Sequence, residues 1–328
     1  MRKNISYHNN KDLVTIKSRW SGNRAFRGKF LNNERNFAHG VASVLKWRFS
    51  PNPQRDEKRK ERWNPPVHYL ADLSDADNGA FVWLGHSSFY MCMDGKRFLF
   101  DPVFWSIPFV KRESKLPVDP NIFKHIDYLL ISHDHYDHLD KKSVKMLLDN
   151  NPDITVVCGI GVGSLIAQWS DNQVKIVEAG WYQRYDDGPV SITFLPAKHW
   201  SKRSANDGGS RLWGSFWIDG SRSVYYSGDT GYGRHFSEVR TLCGEPDIAI
   251  IAIGAYKPRW FMQRNHISPH EALDAAADVG ARLTVPMHYG TFDLSDEPFY
   301  DPPHVFEQEA HNRDIPVAIP RLGEIFKI

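Results

Sequence analysis

Ser132-His-Asp-His-Tyr-Asp-His-Leu139 follows directly on the apolar run Ile126-Asp-Tyr-Leu-Leu-Ile131, and the pair decides how this chain is read. The run has the composition of a buried strand, so His133, His135, Asp137 and His138 fall where a strand ends and a loop begins. An α/β scaffold carries its chemistry at such places, on a rigid support. Imidazoles and ionised carboxylates are also the donors that a borderline cation such as zinc accepts when thiolates are absent. Three histidines and two aspartates within six residues exceed what a loop needs in order to fold.

One cluster cannot complete two metal sites, so partners are expected at the ends of later strands. His199 follows Ile192-Thr-Phe-Leu195, Asp229 follows Val224-Tyr-Tyr226, and His288 follows Leu283-Thr-Val285. Gly228 and Gly231 flank Asp229 and let backbone approach a ligand closely. Singly, each of these residues would more often be structural. Together with the upstream motif they read as ligands delivered to one edge of a sheet.

The rest of the chain supports this frame. Its 328 residues, 41% hydrophobic and 24% charged, bury a sizeable core and describe neither a disordered nor a membrane-spanning protein. No apolar run reaches the roughly 20 residues of a membrane helix, and Met1-Arg-Lys-Asn-Ile-Ser-Tyr7 lacks the apolar stretch of a secretory signal. The cysteines Cys92, Cys158 and Cys243 are odd in number and far apart, which argues for buried thiols in a reducing compartment. A cytoplasmic location, peripheral to a membrane if the substrate is a lipid, is expected. The net charge of +2 hides an asymmetry: residues 1–70 carry 16 Lys and Arg against 5 Asp and Glu, leaving 25 against 34 in the remainder. A basic arm of +11 is expected to pack on an acidic body of −9, the alternative being contact with an anionic membrane face or polyanion. A nucleic-acid partner is not expected, because the body is acidic.

Residues 1–78 therefore read as a basic N-terminal arm, and residues 79–328 as a catalytic domain. Within the arm, residues 1–30 are polar and aperiodic. From Asn33 to Phe49 the positions Phe37, Val41, Val44, Leu45 and Phe49 suggest an amphipathic helix docked on the body, followed by a proline-rich linker at 51–66. Beyond Ala80 short strands alternate with helices, and Asp94-Gly95 and Asp219-Gly220 mark hairpins. Helices are expected at 143–148 and 162–169, and Ser268-Pro-His-Glu271 spells the capped start of another. Strand-rich halves each followed by helices predict an α/β (α+β) chain, two packed mixed sheets with helices outside.

With these motifs in place, the sequence resembles the metallo-β-lactamase superfamily, an αββα sandwich with a dinuclear metal centre. The resemblance implies that His133, His135 and His199 hold one ion, that Asp137, His138 and His288 hold the other, and that Asp229 bridges them. Histidine at 135, where the diiron flavoprotein branch places glutamate, favours two zinc ions and hydrolysis. Trp83-Leu-Gly-His-Ser-Ser88, Phe98-Leu-Phe-Asp-Pro102, Gly228-Asp-Thr-Gly-Tyr232, Ile253-Gly-Ala-Tyr-Lys-Pro-Arg-Trp-Phe-Met262 and His288-Tyr-Gly-Thr-Phe292 resemble one branch more specifically, the N-acylphosphatidylethanolamine-hydrolysing phospholipases D. That branch implies a phosphodiesterase releasing N-acylethanolamine and phosphatidic acid, and a homodimer. Asn265 departs from it, standing where the branch has glutamine.

Two divalent ions would acidify a shared water toward neutrality, with Asp137 and Asp229 orienting it. His266 is expected to contact the phosphate or assist the leaving group, the alternative being a structural histidine ahead of the helix cap. Asn265, Arg259, Trp260, Lys202 and Tyr256 are the expected substrate contacts. Lys198, Arg203, Trp200 and Phe261 stand nearby in sequence, whereas Trp213, on a strand, is expected in the core. His86, at a strand end after Gly85, reads either as a support for a ligand or as a turn residue. The same donors on a lactone, β-lactam or sugar-phosphate lactone make the alternative hydrolase, and a non-catalytic metal-binding module makes a third class.

Overall fold

The computed structural model describes residues 5–34, 40–76, 79–170 and 173–327. Two seven-stranded mixed sheets face each other. The first runs Lys175–Ala179, Thr155–Gly159, Tyr128–Ile131, Lys96–Phe100, Ser88–Met93, Ala80–Gly85 and Ile325–Lys327. The second runs Leu283–Met287, Ile248–Ala252, Ser223–Tyr226, Ser215–Asp219, Val190–Leu195, Gln183–Asp187 and Val14–Thr15. Helices cover the outer faces, as the αββα expectation requires.

Alternation of side chains explains why the first sheet reads as unbroken apolar runs. Phe81, Trp83, Phe89, Met91, Phe98 and Phe100 point inward and share one core with Ile192, Phe194, Phe216 and Ile218 of the second sheet. Their neighbours Val82, Leu84, Tyr90 and Leu99 point outward and pack with Val144, Leu147 and Leu148 of the helix Lys141–Asn150. Both faces are buried, so no polar alternation survives in the sequence.

The helix Pro269–Val279 forms with the capping box its sequence spells, and Gly280 ends it in the left-handed conformation. Other elements depart from the sequence expectation. Residues 5–30 are not aperiodic: Ile5–His8, Asn23–Phe26 and Lys29–Phe30 form a small sheet, and Val14–Thr15 extends the second large one. Polar staples hold this arm. Asn10 Nδ2 donates to the Glu178 carbonyl at 2.8 Å, and Trp181 N donates to Asn23 Oδ1 at 3.0 Å. The helix expected from Asn33 begins at Val41; Phe37 lies outside the described residues. It docks through Trp47, which stacks on Phe261 at 4.9 Å and donates to Asp296, while Val44, Leu45 and Phe49 stay in solvent.

The loop leaving the first sheet is pinned by Arg112, whose guanidinium donates to the carbonyls of Leu84 (2.6 Å), Val103 (2.7 Å) and Ser114 (3.1 Å). Arg112→Met keeps the aliphatic stem but leaves three carbonyls without donors. At about 1 kcal/mol each the fold should lose about 3 kcal/mol, a fall of roughly 6 °C in Tm by calorimetry.

Candidate metal centre

The strands that lead into His133, His199, Asp229 and His288 all end at the same edge. His133 follows Tyr128–Ile131, His199 follows Val190–Leu195, Asp229 follows Ser223–Tyr226, and His288 follows Leu283–Met287. It is the carboxyl end of each of these strands, three of which have parallel partners, and such an end is the usual place for a site in α/β sheets. Close backbone packing sets it up. A Cβ on Gly254 would lie 1.9 Å from the His288 carbonyl, and one on Gly228, at φ +55°, would lie 2.7 Å from the Gly214 carbonyl. His86, Asp101 and His288 themselves adopt positive φ (+52°, +38° and +65°), strain held by the surrounding structure at the site.

Two donor groups meet there. In the first, the nitrogens of His133, His135 and His199 converge with the Asp229 carboxylate; in the second, His86, Asp137, His138 and His288 converge. His135 Nδ1 lies 2.9 Å from His133 Nε2 and 3.2 Å from His199 Nε2. Asp229 touches both groups. Its Oδ2 is 3.0 Å from His288 Nε2, 3.8 Å from His199 Nε2 and 3.9 Å from His133 Nε2, and its Oδ1 is 3.2 Å from His138 Nε2. Asp137 Oδ2 lies 3.5 Å from His288 Nε2 and 3.6 Å from His138 Nε2.

Partners on the far side of each ring fix which nitrogen faces inward. His138 Nδ1 donates to Asp101 at 2.7 Å, His133 Nδ1 to Ser132 Oγ at 2.9 Å, and His199 Nδ1 to the Asn265 carbonyl at 3.1 Å. With the proton kept on that outer nitrogen, each ring can present an Nε2 lone pair to the centre, the arrangement that metal-binding histidines require. Three inward nitrogens at 2.9–3.2 Å share at most one proton between neighbours. Ligands placed tetrahedrally about 2.05 Å from an ion would stand about 3.3 Å apart. Among the described residues no hydrogen bond of good geometry reaches His135 Nε2, His138 Nε2, His288 Nε2 or Asp229 Oδ1, all of them buried. Buried, unpartnered donors at ligand spacing are what a cation would satisfy.

The electrostatics set burial against the two carboxylates. Burial, followed by the neighbouring imidazoles, holds His133 well below the ordinary histidine range. Burial likewise holds His199 far down, against the pull of Asp229. Burial lowers His288 too, but Asp229 and Asp137 outweigh it and push the ring up to about 9. Burial raises the Asp137 and Asp229 carboxyls, yet His138 and His288 outweigh it and hold both well below the carboxylate range. Both carboxylates are therefore charged at neutral pH. A cation bound by such a set stabilises only the folded chain, by about 4 kcal/mol at a thousand times its Kd. Stripping it with a chelator should lower Tm by roughly 8 °C, restored on adding zinc.

Residues 96–289 match the family model of the beta-lactamase superfamily domain. The chain belongs to the beta-lactamase superfamily. It is 31% identical to N-acyl-phosphatidylethanolamine-hydrolyzing phospholipase D 1 of Caenorhabditis elegans, over 92% of this chain and 93% of that protein. It is also 31% identical to the mitochondrial N-acyl-phosphatidylethanolamine-hydrolyzing phospholipase D of Saccharomyces cerevisiae, over 70% of this chain and 51% of that one. A metal-dependent hydrolase of Caldivirga maquilingensis is 30% identical over 65% of this chain and 83% of its own length. Among solved structures, the isothiocyanate hydrolase from Delia radicum gut bacteria shares the fold at a TM-score of 0.61 and 14% identity, covering 76% of this chain and 98% of that one. With its family, its fold and this donor set, the chain is a metal-dependent hydrolase of the metallo-β-lactamase fold.

The remaining sequence expectations divide by position. His266 reaches the centre, with Nδ1 3.8 Å from Asp229 Oδ2 and its ring 5.3 Å from those of His199 and His288; burial, ahead of the opposing pull of Asp229, pushes it down to about 4. Trp200 packs against His135 at 4.6 Å, and Lys202 extends into solvent after its backbone N–H bonds Asp134. Trp260 is 41% exposed, with the Lys46 ammonium 4.9 Å above its ring. Asn265 meets the site through its carbonyl, on His199.

Two expected substrate contacts are engaged elsewhere. Tyr256 is buried and its hydroxyl donates to Asp301, while Arg259 pairs with Glu271 at 2.6 Å and donates to the His266 carbonyl. The carboxylate of Glu271 also caps Ser268, so Arg259 braces the loop that carries His266. Lys198 and Arg203 are likewise tied to carbonyls, of Tyr232 and of Asp134 and Leu139. Trp213 is core, as expected.

Asp101 was not singled out in the sequence, yet its buried carboxylate gathers Ser132 N, Ser132 Oγ, Tyr226 OH and His138 Nδ1. The rule that found His199 applies to it equally, since it directly follows Arg97-Phe-Leu-Phe100.

Proposed function

We propose that this hydrolase is a zinc-dependent phosphodiesterase of phospholipase D type, cleaving N-acylphosphatidylethanolamine-like lipids to N-acylethanolamine and phosphatidic acid. The observation that carries this reading is Asp229 standing between two donor groups in a chain 31% identical, along nearly its whole length, to a relative bearing that activity in its name. Two bound cations would supply Lewis acidity for the phosphoryl oxygens and an acidified water. The chain's own part is to place them. His133, His135 and His199 would hold one, Asp137, His138 and His288 the other, with Asp229 shared. His266, at the open side of the cluster, would meet the phosphate, and Lys202 and Trp200 would flank an anionic headgroup.

The lipid part of the reading draws on the surface beside the site. The helix Val41–Phe49 exposes Val44, Leu45 and Phe49 together with Lys46 and Arg48, and Trp260 lies under Lys46. Apolar side chains interleaved with cations suit the interface of an anionic membrane. No helix of the described residues is long and apolar enough to cross one, so contact would be peripheral.

The test is incubation of purified protein with vesicles containing N-acylphosphatidylethanolamine, and separately with lactones and β-lactams, with products identified by mass spectrometry. Paired release of phosphatidic acid and N-acylethanolamine is expected. Hydrolysis confined to the lactone set, or release of free fatty acid from the vesicles, would sink the proposal.

A further inference from the structure

We infer that His86 is the positioning residue of the second cation subsite, locking Asp137 and His288 into the geometry in which they share an ion. The inference rests on the two-ion reading of the centre. His86 is 1% exposed and has two separate holds on that subsite. Its Nε2 is 3.0 Å from Asp137 Oδ2, the same oxygen that lies 3.5 Å from His288 Nε2 and 3.6 Å from His138 Nε2. Its carbonyl accepts the His288 backbone N–H at 3.0 Å, and the two rings lie 4.1 Å apart.

His86 is itself held through its backbone and by the packing of its ring. Its N–H donates to Thr291 Oγ1 at 2.8 Å, its carbonyl also accepts Trp83 Nε1 at 3.0 Å, and its ring rests edge-on against Phe292 at 5.1 Å. The left-handed backbone at φ +52° follows from these holds, and it aims the ring across the gap between the two sheets. Asp137 sits on a loop of the first sheet and His288 at the end of a strand of the second. One residue thus spans the seam along which the second ion's ligands could separate. The first group, His133, His135 and His199, receives no hydrogen bond from His86 among the described residues.

Outer partners of metal ligands typically govern affinity by 10–100-fold. The consequence here is selective: the second ion should depend on His86 and the first should not. The experiment is zinc titration of metal-free protein against a chromophoric competitor, with stoichiometry read by elemental analysis, on wild type, His86→Phe and His86→Gln. His86→Phe preserves the packing on His288 and Phe292 but has no donor, whereas His86→Gln restores an N–H toward Asp137. Wild type should bind two equivalents. His86→Phe should keep the first unchanged and bind the second about 10–100-fold more weakly, and His86→Gln should recover most of that loss. Equal weakening of both equivalents, with a lower Tm of the metal-free variant, would show a merely structural role and overturn the inference. So would a His86→Phe protein that binds both ions like wild type. A wild-type protein that takes up a single equivalent would refute the two-ion reading itself.

Discussion

Asp229→Ala is expected to reduce turnover by at least about a thousandfold, some 4 kcal/mol of barrier, while leaving the fold intact. This carboxylate reaches both donor groups, at 3.0 and 3.2 Å from His288 and His138 and at 3.8 and 3.9 Å from His199 and His133. On the two-ion reading its loss would remove a ligand from each ion at once and leave only imidazoles on one side of the centre. The fold should tolerate the change, because the partners of this carboxylate are the other ligands and not the backbone of a neighbouring element. The checks are turnover on the substrate found in the vesicle or lactone assay, metal content by elemental analysis, and circular dichroism. Near-normal turnover would remove the carboxylate from the reaction.

Asp101→Asn should weaken metal binding about 10–100-fold and cost about 3 kcal/mol of stability. The Asp101 carboxylate accepts from Ser132 N at 2.7 Å, Ser132 Oγ at 2.5 Å, Tyr226 OH at 2.8 Å and His138 Nδ1 at 2.7 Å. An amide of the same shape offers one oxygen where two accept now, and turns its NH2 toward groups that themselves donate. Asparagine also adopts the left-handed backbone found here at φ +38°, so the substitution changes the hydrogen bonds without adding strain. His138 then loses the partner that turns its Nε2 inward. Zinc titration and chemical denaturation read the two effects separately. An unchanged zinc affinity would mean that His138 is oriented by its packing alone.

How much of this was legible depended on what each residue's role needed from its neighbours. His133, His135, Asp137, His138, His199, Asp229 and His288, which the fold brings together, stood out because each lies at or just beyond the end of an apolar run that reads as a strand. His86 could be seen at a strand end, but its hold on both Asp137 and His288 could not, since those partners lie 51 and 202 residues away. Arg259 and Tyr256 looked like substrate contacts because cation and aromatic fall in one specific run. Folding turns them to Glu271 and Asp301, whose carboxylates no local pattern connects to them. The helix Asp301–Asn312 is absent from the sequence expectations; it opens with Pro302 and Pro303, and proline in a first turn costs no hydrogen bond.

By itself the sequence determined the layered class of the fold, the edge where the ligands gather, and the kind of donor that gathers there. Those properties follow from local periodicity and from side-chain chemistry, which each segment carries alone. Only the tertiary structure decided that Asp229 stands between two groups, that Asp101 bonds His138 and His86 bonds Asp137, and that the arm is stapled by Asn10 to Glu178 of the first sheet and by Asn23 to Trp181. Buried polar contacts between distant segments leave no period in the chain; they exist only where two sheets pack face to face and each unpaired donor must find its acceptor.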